Sequence, residues 1–276
     1  MKRKTTDNRT LNNASTTLLR RGGAGAGRTP VIRWAPIALG SVVLAAGIGR
    51  LVADPVDVPN YSFESPTVPE GFPVSNTIDS WQKTPQPVWF DPNTFGIEWN
   101  QLSGVFPNPP STEGNHIDNM TGNQALYLFA LPTVGLFQEV GANFTAGMAY
   151  TLTIGILGGG GIPEGSTFEF GIYYEDGVNG QMQVASNSVE FTSASFPTAT
   201  HLIDYQTGTV VVQPGDAWVG KAIGVSLVAT SGTGAGYWDL DNIRLDATVV
   251  PEPSSWGLAI LGLGGVLWGC HSRRRN

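Results

Sequence analysis

From about residue 125 to residue 245, short apolar, β-branched or aromatic runs alternate with clusters of Gly, Pro, Asn and Asp, the punctuation of a strand-rich chain. The runs predict strands at 125–131, 136–140, 149–156, 167–174, 181–185, 201–212, 222–228 and 237–245. Within 167–174, Phe168, Phe170, Ile172 and Tyr174 fall on one face and Thr167, Glu169 and Tyr173 on the other, as a sheet with one buried face requires. No stretch keeps an i, i+3, i+4, i+7 apolar pattern through three turns, so little helix is expected. Strands in this number predict an all-β fold, a two-sheet antiparallel jelly-roll sandwich. Trp81, Trp218 and Trp238 are expected in its core. Gly158-Gly159-Gly160-Gly161 reads as a flexible turn between strands and Glu175-Asp176-Gly177 as a hairpin turn. The Pro- and Asn-rich stretch 85–110 reads as one long loop region.

Two apolar segments flank this pattern. Residues 34–48 follow a region carrying Lys2, Arg3, Lys4, Arg9, Arg20, Arg21, Arg28 and Arg33, the order of a secretory signal, cleaved or retained as an anchor. At the other end, Val250-Pro251-Glu252-Pro253 precedes an apolar run from Trp256 to Cys270 and the cluster Arg273-Arg274-Arg275. Pro251 and Pro253 fix φ and keep their segment extended and accessible. The arginines would stay on the cytoplasmic face, leaving everything before Val250 outside. Fifteen residues with five glycines are short for a bilayer that needs about 20 apolar residues, so insertion is expected to be transient, with an ordinary single-span anchor as the alternative. Residues 1–53, 54–249 and 250–276 are therefore separate parts.

Charge sharpens the division. Of 22 acidic residues, 20 lie in 54–249, whereas only Lys83, Lys221 and Arg244 of the 15 basic ones do. The resulting formal charge of −17 argues against nucleic acid as a partner and suits an exported domain able to attract cations. The only cysteine, Cys270, sits in the C-terminal run, so the domain has no disulfide, thiolate metal site or cysteine nucleophile. His116 and His201 stand far apart in sequence with no Ser or Cys motif beside either, and no H-E-x-x-H, P-loop or nucleophile elbow occurs. A non-catalytic protein is expected, with a glycoside hydrolase built from scattered carboxylates as the remote alternative.

The Pro-Glu-Pro turn, apolar run and arginine cluster resemble a PEP-CTERM tail. That resemblance implies recognition by an exosortase, passage through the secretion machinery, and export from a Gram-negative bacterium to the cell envelope, outer surface or matrix. The opening Val58-Pro59-Asn60-Tyr61-Ser62-Phe63-Glu64 with Ile78-Asp79-Ser80-Trp81, and the closing Trp238-Asp239-Leu240-Asp241-Asn242-Ile243-Arg244-Leu245, resemble the first and last strands of galactose-binding-like jelly rolls, an architecture shared by carbohydrate-binding modules. In that family a structural Ca2+ is held by a carboxylate from each end, which here implies Glu64 and Asp241; otherwise Glu64 is a solvated carboxylate and Asp241 or Asn242 caps a turn. A glycan, exopolysaccharide above all, is the implied ligand. Trp89 and Trp99 are the candidate stacking rings, with Asp91, Asn93, Glu98, Asn100 and Gln101 as polar partners. A structural surface protein without a ligand, working through self-association or cation bridging, is the alternative.

Overall fold

The structure is a computed structural model, and it describes residues 53–250. The signal segment and the sorting segment after Val250 lie outside the described residues. Among those described, no helix is long and apolar enough to cross a membrane.

Twelve strands make up the fold: β1 (Asp54–Val56), β2 (Gln82–Lys83), β3 (Ser103–Pro107), β4 (Gln124–Phe129), β5 (Gly135–Asn143), β6 (Met148–Gly159), β7 (Thr167–Glu175), β8 (Gln181–Glu190), β9 (Ile203–Gln206), β10 (Val210–Val211), β11 (Ala222–Ser231) and β12 (Tyr237–Val249). The larger sheet runs β10-β6-β12-β4-β3, with β1 beside β12 and β9 beside β6; the smaller runs β2-β5-β11-β7-β8. Every pairing is antiparallel. This is the all-β jelly-roll sandwich that the alternation predicts. Phe168, Phe170 and Ile172 of β7 meet Leu126 and Leu128 of β4, Leu152, Ile154 and Ile156 of β6, and Trp238 and Leu240 of β12 in one buried core. Removing each such side chain from water contributes about 1.5–3 kcal/mol, which drives the two faces together.

Three expectations change. The stretch 85–110 is not one loop: α1 (Pro92–Phe95), a 3-10 turn at Trp99–Gln101 and strand β3 lie within it. Ser103-Gly104-Val105 lacks the alternation of a strand because both its faces are covered, and its ladder to β4 completes the sheet. The expected strand at 201–212 is split into β9 and β10 around Thr207, Gly208 and Thr209, where Thr207 is buried and its hydroxyl accepts the Leu152 N–H (3.1 Å). Trp81 and Trp238 are core residues, but Trp218 is only half-buried and leans on Tyr174 with ring centroids 6.2 Å apart.

Candidate functional site

Two places on the sandwich concentrate chemistry. The first is the seam where the chain's opening meets its last strand. Phe63 takes a left-handed φ of 56° and is buried against Trp81, 5.7 Å between centroids, so the residue after it turns toward the loop before β4. There Glu64 Oε1 accepts the backbone N–H groups of Asn123 (2.8 Å) and Gln124 (2.7 Å). From the other side Asp241 Oδ2 accepts the Thr121 N–H at 2.7 Å, while its Oδ1 is buried with no partner. Gly122, between these donors, has φ +85° and lies so close to Glu64 that an added Cβ would come within 2.4 Å of its carboxyl carbon. Burial pushes the Asp241 carboxyl up to about 7; the Thr121 and Asn242 N–H groups oppose this, and the negative charge of Glu64 adds to it. The bulge between Asp241 and Arg244, with Asn242 at φ 57°, leaves the strand free to aim Asp241 this way.

Glu64 and Asp241, 177 positions apart in sequence, thus converge on one loop. A buried carboxylate oxygen without a partner beside a second carboxylate is what a hard cation compensates, so the donors present fit Ca2+. Among the described residues no group of three or more His, Cys, Asp or Glu side chains could hold a metal, so backbone oxygens would complete the shell. Beside this seam, Tyr61, Thr121, Asn242 and Arg244 border an open hollow of about 500 Å3.

The second place is the outer face of the larger sheet. Register puts Gly104, Tyr127, Asp239 and Leu157 in one row across β3, β4, β12 and β6. Because Trp238 and Leu240 point into the core, Tyr237 and Asp239 share the opposite face with Tyr127. The segment 73–76 runs beside the edge of β3, bonded to it through Ser75 and Val105 (2.8 and 2.9 Å), and Pro73, Val74 and Asn76 border the face on that side. The result is a cleft of about 650 Å3 walled by Phe106, Tyr127, Phe129 and Tyr237, with the side chains of Asn76, Gln101 and Asn115 and no charged residue in its lining. The Tyr127 hydroxyl donates to Asn76 Oδ1 at 2.8 Å, and burial pushes its pKa up to about 12.

Asp239 lies between Tyr127 and Tyr237, 6% exposed, its Oδ1 without a partner. Burial raises its pKa well above the carboxylate range, which favours the protonated carboxyl. The glycine run is part of this arrangement. A Cβ on Gly159 would stand 2.6 Å from Asp239 Oδ2, and one on Gly160 would stand 2.3 Å from the Tyr237 ring. The run closes β6, as a turn should, and its missing side chains also admit Asp239 and Tyr237.

The tryptophan loop is arranged differently from expectation. Trp99 is 8% exposed and its indole N–H donates to Thr84 O (2.7 Å), so its ring is no open platform. Trp89 is half exposed and meets Trp99, Phe90 and Phe95 edge-on, at 6.1–6.4 Å. Asp91 and Asn93 are used locally: Asp91 caps α1, accepting from Asn93 N (3.0 Å) and from Thr94 Oγ1 (3.0 Å). Gln101 does reach the cleft, and Glu98 closes the 3-10 turn through a capping box. Sequence reasoning passed over Tyr127, Phe129, Tyr237 and Asp239. The signal for them was the alternation Trp238-Asp239-Leu240, which sets an acid opposite the core face, but the neighbours beside it, Tyr127 of β4 and Leu157 and Gly159 of β6, are not local in sequence.

A two-sheet jelly roll with an aromatic cleft on its larger sheet, a buried carboxyl opposite Tyr127, and a carboxylate pair joining the opening segment to the last strand defines the class. The chain belongs to the HpiC1-like family, whose model, described as HpiC1 cyclase, matches residues 54–246. The PEP-CTERM protein-sorting motif matches residues 249–275, and it marks an exported protein sorted at the cell envelope through exosortase processing. No curated protein matches the chain. Among solved structures, a cyclase from Fischerella sp. TAU in complex with 4-(1H-indol-3-yl)butan-2-one is 21% identical, with 72% of this chain and 100% of that chain covered and a TM-score of 0.54. An apo form cyclase from Fischerella sp. is 18% identical, with 72% and 98% covered and a TM-score of 0.56. The xylan-binding CBM22-1 domain of Paenibacillus barcinonensis Xyn10C is a weaker likeness, 13% identical over 73% and 99% of the two chains with a TM-score of 0.41.

Proposed function

We propose that this is a surface protein of a Gram-negative bacterium whose sandwich binds a neutral saccharide, such as an exopolysaccharide unit, without cleaving it. The cleft carries the reading. Three half-buried aromatic side chains, Phe106, Phe129 and Tyr237, offer surface to a pyranose ring above the buried Tyr127, amide side chains stand beside them for directional hydrogen bonds, and the lining carries no charge. An anionic polysaccharide is disfavoured by the −17 charge of the domain, so the ligand class is narrowed to uncharged glycans. Ca2+ held by Glu64 and Asp241 fixes the opening segment and the loop before β4 to the last strand, a structural role at a distance from the glycan. The test is retention on a panel of neutral and acidic polysaccharides by the protein and by Phe129→Ala with Tyr237→Ala, the two half-buried rings of the cleft. Retention of neutral glycans lost in the double variant is the expected result, and retention unchanged by it would refute the assignment.

A second reading has one observation in its favour. Asp239 is a buried carboxyl whose pKa desolvation raises, and it stands opposite Tyr127 of the aromatic cleft, the setting of a general acid. The cyclase description of the family and the indole-bearing ligand of a Fischerella relative agree with acid-assisted ring closure of an unsaturated aromatic substrate. Asp239→Asn separates the two readings: glycan retention survives the change if the domain only binds, and turnover of an indole-bearing substrate disappears if it is an acid catalyst.

A further inference from the structure

The last strand runs directly into the sorting tail. Strand β12 ends at Val249, opposite Met148, and the Val250 N–H donates to Gly147 O at 2.8 Å, so the sheet holds the chain up to the residue before Pro251. The apolar run begins at Trp256, leaving five residues between. A fully extended chain covers at most about 3.6 Å per residue, so Val250 stays within roughly 20 Å of the point where that run enters a bilayer.

Register shows what else lies at this end of the sandwich. The turn 143–148 joins β5 to β6, and the loop 212–221 joins β10 to β11. They meet through the Gly147 N–H on Val212 O (2.9 Å) and the Gly220 N–H on Phe144 O (2.8 Å). The hairpin turn 176–180 is here too, because Tyr173, near the end of β7, pairs with Gly224, near the start of β11. Asp54 of β1 pairs with Ala247, so the chain enters the domain where it leaves it. Val178, Val211, Val219 and Val249 are exposed on this end. Charged groups near it include Asp54, Glu175, Asp176, Asp216 and Asp246 against Lys221, so anionic headgroups would repel it and what it offers a membrane is apolar contact.

The other exposed apolar tip, Val88, Trp89 and Phe95, is at the opposite end. Trp89 packs on Trp99, whose indole is bonded to Thr84 O, and the Thr84 N–H donates to the O of Gly135 at the start of β5. The cleft rim at Phe129 and Tyr237 lies at that end as well. The 13 residues of β12, rising about 3.3 Å each, set the two ends about 40 Å apart, beyond the reach of a five-residue link.

We infer that, while the apolar run is inserted, the end bearing Val178, Val211, Val219 and Val249 rests on a lipid surface with uncharged headgroups, and the aromatic cleft opens away from the membrane. The inference rests on entry of that run into the bilayer and is independent of what the cleft binds.

The test uses the full chain with Cys270→Ser in phosphatidylcholine nanodiscs, with one fluorophore attached at Val219→Cys, Val178→Cys or Val88→Cys. Co-elution of protein with nanodisc reports insertion, and a nitroxide on the lipid headgroup reports which label lies at the surface. Quenching is expected to be several-fold stronger at positions 219 and 178 than at 88. A label at 88 quenched as strongly as the other two, or labels at 219 and 178 that escape quenching in a co-eluting protein, would overturn the orientation and leave insertion of the tail standing. A chain that does not co-elute with the nanodisc would overturn both.

Discussion

The seam carboxylate Asp241 allows a quantitative test. Replacing it with Asn keeps an acceptor for the Thr121 N–H and removes the charge. In the cation-free protein the folded carboxyl titrates at about 7 against a usual 3.8. A folded pKa raised above the unfolded one means that the folded state binds more protons in the interval between them. Stability attributable to this group is therefore unaffected below the unfolded pKa, falls as pH rises through the window, and is lowest above the folded pKa. The gap between the two values corresponds to about 4 kcal/mol. Urea unfolding in chelator should show the wild type losing stability relative to Asp241→Asn by roughly this amount between acid and mildly alkaline pH. Added Ca2+ should restore the wild type and leave the variant unchanged, with weaker binding below the folded pKa, where the ligand is protonated. A wild-type-to-variant difference that does not vary with pH in chelator would refute the buried, uncompensated carboxylate, and an equal Ca2+ response in both would refute the cation site.

Other outcomes follow from the same geometry. Gly122→Ala should lower stability by about 1–3 kcal/mol and blunt the Ca2+ response in a thermal melt, because φ +85° and the 2.4 Å approach to Glu64 leave a Cβ no room. Trp99→Ala should cost about 3–5 kcal/mol in chemical unfolding, as the loss of a buried indole does, whereas Trp89→Ala should cost less than half as much. Asp239→Asn should flatten a further decline in stability toward alkaline pH, since that carboxyl too holds its proton above the usual range; proton uptake on folding, measured by calorimetry in two buffers, would show it. Gly160→Ala should drive the Tyr237 ring out of place and change ligand retention more than it changes the fold, read by paired binding and circular dichroism measurements.

The fold class was legible from the sequence because a half-buried strand writes its two faces into alternate residues: Phe168, Phe170, Ile172 and Tyr174 in β7 announce a core face with no knowledge of what covers it. The sorting tail was equally legible, since its signal is a local order of residue types that the family comparison matches directly. Glu64 and Asp241 were reached through a resemblance between chain ends, and the structure brings them to one loop through backbone donors at Thr121, Asn123 and Gln124, which sequence cannot display. Strand β3 was missed because a strand covered on both faces loses its alternation. The tryptophans singled out by their loop setting proved unequal, since whether Trp99 faces water depends on its bond to Thr84, and nothing local to Trp99 records that. The cleft was the tertiary structure's decision entirely. Tyr127, Phe129 and Tyr237 come from two strands more than a hundred positions apart, and they line one cleft, with Asp239 opposite Tyr127, only because antiparallel register aligns them and segment 73–76 borders them beside β3. Sequence determines which face of a strand is apolar; the pairing of distant strands and the loops laid over them determine which polar groups are buried, and burial is what gives a carboxyl an unusual proton affinity.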